Sequence, residues 1–189
     1  MKILVFDNYD SFTYNLVHLL ENVCDYEIDV FRNDKIELKK IEAYDNILLS
    51  PGPGLPSEAG ILIEMIKKYA PTKNILGICL GLQAIGEAFG AKLKNLDNVF
   101  HGVATPIKII KNDNLFLNCP KEFNAGRYHS WVVDNKNLPD CFDVTAIDSE
   151  GNIMAMKHKI YNVKGVQFHP ESILSEYGEQ IIRNWIFNK

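Results

Sequence analysis

Residues 77–81 read Gly-Ile-Cys-Leu-Gly, the cysteine form of the G-x-S-x-G elbow, in which a nucleophile sits on a sharp strand-to-helix turn. Glycine at both flanks lets the chain reverse tightly while the central residue takes a strained backbone conformation. A thiol at Cys79 would stand at the N-terminus of the next helix, whose positive end favours thiolate. The same geometry would aim the Leu80 N–H at an oxyanion forming on an attacked carbonyl. The competing reading is a small buried cysteine in a glycine-rich turn, and the pentapeptide alone does not separate the two.

A thiol nucleophile needs an imidazole, and the imidazole needs a carboxylate to orient it. Residues 167–172, Gln-Phe-His-Pro-Glu-Ser, supply both in His169 and Glu171. On extended chain, residues two apart point to the same side. The bland alternative is a surface-loop histidine followed by a helix-capping Pro-Glu-Ser. Of the other histidines, His18 falls in an amphipathic helix and His158 in a lysine-rich hairpin, both poorly placed, while His101 and His129 lie in loops and stay open as bases. A third stretch, Ser-Pro-Gly-Pro-Gly at 50–54, is by default a rigid turn. Its Gly52 and Gly54 also permit close backbone approach and can present N–H groups to a ligand carbonyl or oxyanion.

These three stretches need a scaffold that brings them to one place, and the first half of the chain describes one. KILVFD (2–7), EIDVFRND (27–34), DNILLSPGPG (45–54) and NILGICL (74–80) read as strands. Between them fall a helix after residue 10, with Asp10 or Ser11 as N-cap and Phe12, Leu16, Leu19 and Val23 at helical spacing, and a second helix through 58–70 capped by Ser57. A third helix, LQAIGEAFG, closes on Gly90. That rhythm predicts an open, mostly parallel α/β sheet. The unbroken apolar runs at 47–49 and 75–80 suit central strands covered on both faces. In the second half, TPIKII, RYHSWVVD, FDVTAID, IMAMKHK and VKGVQFHP are spaced like antiparallel strands before a closing helix at 175–188. The expectation is one α/β domain over 1–189, a mixed, mostly parallel sheet with helices on both faces. In such sheets ligands bind beyond the carboxyl ends of strands. All three chemical stretches fall there, and together they point to a Cys-His-Glu hydrolase of a small carbonyl substrate.

Composition excludes several other classes. A net charge of −4 without a basic stretch argues against nucleic acid. No apolar run approaches the roughly 18–20 residues of a membrane span, and the opening KILVFD meets an aspartate too soon for a signal-peptide core. A cytoplasmic protein is expected. Cys24, Cys119 and Cys141 form no C-x-x-C pair and have no glycine punctuation, so neither a disulfide framework nor a metal site is expected.

DNYDSFTYNLV, LLSPGPGLPSEAG, ILGICLGLQAI, GRYHSWVV and GVQFHPES together resemble the class I (triad) glutamine amidotransferases. More narrowly, they are similar to component II of anthranilate synthase or of aminodeoxychorismate synthase, and the likeness runs end to end, as for a free-standing flavodoxin-like subunit. The resemblance implies that Cys79 attacks the side-chain amide of L-glutamine, with His169 as acid/base and Glu171 as its orienter. It assigns Gly54 and Leu80 to the oxyanion hole, and Gly52, Pro53, Gly54, Gln83, Ser130 and Trp131 to glutamine binding. Ammonia would pass to a chorismate-using synthase subunit in a hetero-oligomer. That partner would carry any Mg²⁺, and this chain would need no cofactor. VFHGVATPI (99–107), expected to face the partner, is closer to the anthranilate type. Two departures stand out: Leu82 replaces the family's usual histidine, and Trp131 stands where relatives often carry leucine. A stand-alone γ-glutamyl hydrolase and a catalytically silent partner protein are the alternative readings.

Overall fold

The structure is a computed structural model that describes residues 1–188. The first strand, β1 (Lys2–Asp7), shows how the sheet is covered. Its residues 3–6 have no solvent exposure, because alternate side chains enter two different cores. Ile3 and Val5 pack with Leu16, Leu20, Ile181 and Trp185 on one face. Leu4 and Phe6 pack with Leu62, Ile66, Leu82 and Ile85 on the other.

The chain continues through α1 (Thr13–Val23), β2 (Glu27–Arg32), β3 (Asn46–Leu49), α2 (Leu62–Tyr69), β4 (Asn74–Ile78), α3 (Leu80–Ala88) and β5 (Leu93–Asn95). Then follow β6 (Val103–Ile109), β7 (Glu122–Arg127), β8 (Trp131–Val133), β9 (Phe142–Ile147), β10 (Ile153–His158), β11 (Val163–Val166) and α4 (Gly178–Phe187). Nine strands form one sheet in the order β2-β1-β3-β4-β11-β10-β9-β6-β7, and β5 pairs with β8 apart from it. The pairs from β2 to β11 are parallel and those from β11 to β7 antiparallel. α1 and α4 cover one face and α2 and α3 the other. This is the mixed open sheet expected, parallel in its N-terminal part and antiparallel in the C-terminal half. No helix among the described residues is long and apolar enough to cross a membrane.

Several boundaries differ from expectation. Phe12, not Asp10 or Ser11, holds the N-cap position of α1 and is exposed. Asp10 instead accepts from the Phe12 N–H at 2.8 Å, one step upstream of the helix. Ser57 lies inside a short 3-10 turn, Pro56–Glu58, and caps no α-helix. Gly60 at φ +56° turns the chain out of that path, so α2 begins at Leu62. RYHSWVVD is not one strand: it breaks at 128–130, its first residue ending β7 and residues 131–133 pairing with β5. That break carries the chain from the nine-stranded sheet to the separate β5–β8 pair.

Candidate active site

β4 ends at Ile78 and α3 begins at Leu80, leaving Cys79 alone in the turn at φ +51°, ψ −101°. A non-glycine residue at such angles is strained and is held there by its surroundings. The Cys79 N–H donates to Val166 O at 2.8 Å, and its carbonyl accepts from Gln83 N at 3.1 Å, the first bond of the helix. A Cβ on Gly77 would lie 2.4 Å from the Gly81 carbonyl carbon, and one on Gly81 would lie 2.7 Å from Leu49 Cβ. Both glycines of the motif are therefore required by close backbone approach. Leu80 occupies the first helical position, where the amide has no intrahelical acceptor.

β11 lies beside β4, with Val166 opposite Ile78, so the residues following β11 emerge beside the elbow. His169 is 3% exposed. Its N–H donates to Gly126 O, and its carbonyl accepts from Ser175 Oγ and Ser172 N. Nδ1 is 2.7 Å from Glu171 Oε1, a pair whose side chains are almost fully buried. The carboxylate fixes Nδ1 as the protonated nitrogen in the neutral ring. Nε2 is buried without a hydrogen-bond partner among the described residues. Burial disfavours the imidazolium, but the neighbouring Cys79 sulfur and Glu171 carboxylate outweigh it and raise its pKa to about 10. The site is thus arranged to hold the His169 ring protonated beside the Cys79 sulfur.

A cavity of about 390 Å³ opens over Cys79. Gly52, Pro53 and Gly54 line it on one side, with Cys79, Leu80 and Gln83 on its floor. Ser130 and Trp131 close the opposite wall, delivered by the break between β7 and β8. The glycine loop is anchored below by Asn8, whose N–H donates to Ser50 Oγ and whose side-chain amide donates to Ser50 O. Glu58 accepts from the Leu55 N–H at 3.0 Å and closes the loop beyond. Cys79 and the residues expected to bind glutamine thus share one cavity, while His169 and Glu171 line a neighbouring one of about 210 Å³, with Tyr128 common to both.

The two histidines left open take different places. His101 is exposed on a loop. His129 lines the cavity but is buried, with Nε2 accepting from Arg127 Nε at 3.0 Å and Nδ1 bonded to Trp131 O at 3.1 Å. Burial, then the Arg127 and His169 charges, push its pKa down to about 3. With both nitrogens occupied and the ring neutral, His129 props the Trp131 wall and does not serve as a base. Arg127 is itself 2% exposed, paired with Asp148 at 3.0 Å and stacked over Phe100. Leu82 is fully buried against Gly165 of β11 and does not line the cavity. Sequence reading passed over Arg127, Asp148 and Gln167. The signal available for Gln167 was its place two residues before His169 on extended chain.

A family model described as glutamine amidotransferase class-I matches residues 4–189. The chain belongs to the class-I glutamine amidotransferases. Among relatives of this amidotransferase, an aminodeoxychorismate synthase component 2 of Escherichia coli K12 is 44% identical, over 97% of this chain and 98% of its own. An aminodeoxychorismate/anthranilate synthase component 2 of Bacillus subtilis 168 is also 44% identical, over 97% and 95% of the two chains. A crystal structure from Thermoplasma acidophilum, described as a candidate GMP synthase component, superposes with a TM-score of 0.88 at 29% identity, covering 98% of this amidotransferase and 92% of that chain.

Proposed function

We propose that this amidotransferase hydrolyses L-glutamine through Cys79, His169 and Glu171 and delivers ammonia to a chorismate-using synthase subunit. The observation that carries the reading is the strained Cys79 elbow, open to one cavity, with the buried His169–Glu171 pair beside its sulfur. The Cys79 thiolate attacks the side-chain carbonyl carbon of glutamine, and the oxyanion is held by backbone N–H groups at Leu80 and Gly54. As the C–N bond breaks, the imidazolium gives its Nε2 proton to the leaving nitrogen, and ammonia departs from a glutamyl thioester. The neutral imidazole then takes a proton from water, whose oxygen attacks the thioester. Glutamate leaves, and the thiolate and imidazolium are restored. Gly52, Pro53, Gln83, Ser130 and Trp131 hold the amino-acid end of the substrate. The chain itself works without a cofactor, and the Mg²⁺ requirement falls to the synthase partner.

Anthranilate synthase is the favoured partner, on the VFHGVATPI segment. Aminodeoxychorismate synthase is the second reading, supported by relatives of equal identity that carry that name. Reconstitution with each candidate synthase subunit, followed by identification of the aromatic product made from chorismate and glutamine, separates them. Cys79→Ser should lower glutamine-dependent synthesis by at least about a thousandfold while ammonia-dependent synthesis by the same complex survives. A Cys79→Ser complex that still used glutamine normally would overturn the assignment. Robust glutaminase turnover by the isolated chain would favour the stand-alone hydrolase.

A further inference from the structure

Gln167 has no solvent exposure, and its Nε2 donates to Cys79 Sγ at 3.4 Å. Its Oε1 accepts at 3.3 Å from Gln83 Nε2, which also donates to Trp131 O at 2.9 Å. The orientation of both amides follows from the ends of this chain of bonds. Trp131 O is a carbonyl and can do nothing but accept. Gln83 must therefore turn its NH₂ towards it, and the same NH₂ reaches Gln167. Flipping Gln83 would set two oxygens against each other. With Gln83 as donor, Gln167 presents its oxygen to it, which leaves its own NH₂ facing the sulfur. The second bond to Trp131 O comes from His129, held in place by Arg127, an obligate donor.

We propose that Gln167 is a further catalytic residue of this site, a buried hydrogen-bond donor that holds and stabilises the Cys79 thiolate, with Gln83 acting through it as a positioning residue. A hydrogen bond to an ionised acceptor is stronger than one to a neutral acceptor, so the donor favours the charged sulfur over the thiol. The bond counts twice in the chemistry of the proposed reaction. It maintains the attacking thiolate, and it stabilises the same thiolate as the leaving group when water breaks the thioester. Attack alone would gain little from it, because a stabilised thiolate is also a weaker nucleophile. Thioester breakdown gains without that offset. The arrangement also ties the nucleophile to the substrate-binding wall through side chains already committed to both.

The inference rests on the glutaminase reading for its catalytic consequence, but its direct readout needs neither glutamine nor a partner. Alkylation of Cys79 by iodoacetamide is followed as a function of pH by mass measurement of the Cys79 peptide, which separates it from Cys24, Cys119 and Cys141. In Gln167→Met the pH of half-maximal rate should move up by about one unit. In Gln167→Glu, which places negative charge beside the sulfur, it should move further. Gln83→Met should produce a smaller shift in the same direction. For glutamine hydrolysis in the reconstituted complex, Gln167→Met should lower kcat about 10- to 100-fold with KM changed less than about twofold. Folded Gln167 variants, checked by thermal melting, that alkylate with the unaltered pH profile would overturn the proposal, as would a loss confined to KM. Should neither Gln167 variant fold, an unshifted profile in Gln83→Met overturns it. A shifted profile in a protein whose Cys79→Ser variant still uses glutamine would leave this inference standing and remove the glutaminase reading instead.

Discussion

Two buried histidines about 40 residues apart in sequence carry opposite assignments, and the neighbours of each explain why. His169 faces a sulfur and a carboxylate and is held charged. His129 faces an arginine and a carbonyl and is held neutral. The sign of each follows for stability. His169 binds its proton more tightly folded than unfolded, so its contribution is complete below about pH 6.5 and is lost as pH rises towards 10. His129 resists protonation when folded, so its contribution is complete above about pH 6.5 and is lost as pH falls towards 3. Urea unfolding across the acid range should show a His129 component of roughly 1.4 kcal/mol per pH unit, and that component should be missing in His129→Gln. Glu171→Gln keeps the shape of the pair and removes the charge that orients the ring. Glutamine-dependent kcat should fall by about 10²- to 10⁴-fold, with binding of glutamine little changed, as measured by steady-state kinetics in the complex.

At the scale of elements, the elbow is the tightest device in the molecule. Its geometry requires that Gly77, near the end of β4, pass against the backbone of Gly81 in the first turn of α3. A methyl at 77 would meet rigid backbone and not a movable side-chain end. Gly77→Ala should therefore cost about 3 kcal/mol or more in chemical denaturation, and what folds should show a displaced Cys79 with slowed alkylation. The glycine–cysteine–glycine spacing was readable without a structure because a sharp strand-to-helix turn imposes it. The break in RYHSWVVD was not readable. Its alternation of apolar residues suits one strand, and only the pairing of Trp131–Val133 with Leu93–Asn95 pulls the second half away from β7. Ser57 misled for a similar reason: a good capping residue was overridden by the Gly60 turn three residues later.

For the whole molecule, the decisive fact is strand order. β11 inserts between β4 and β10, although about 85 residues separate it from β4 in the chain. That insertion brings Gln167 and His169 beside Cys79. The antiparallel half then supports the Trp131 side of the cavity through the Arg127–Asp148 pair, which joins the end of β7 to the end of β9. Asp148→Asn would leave the buried Arg127 guanidinium without its counter-charge. It should destabilise the fold by about 3–5 kcal/mol in chemical denaturation, and it should raise the KM for glutamine in whatever fraction stays folded.

Local geometry, then, was legible in the sequence. A cysteine between obligatory glycines, and an imidazole two residues from a carboxylate, are short-range arrangements that the local chain displays on its own. Apolar runs covered on both faces likewise announced a central sheet, because such segments have nowhere to go but between two layers of helices. Tertiary structure decided which of the candidate histidines is held protonated beside the Cys79 sulfur, since charge and burial at a ring depend on residues distant in the chain. It also decided that Leu82 belongs to the core and that Gln167 reaches the sulfur. Both follow from β11 lying against β4, a long-range pairing that no periodicity within either segment encodes.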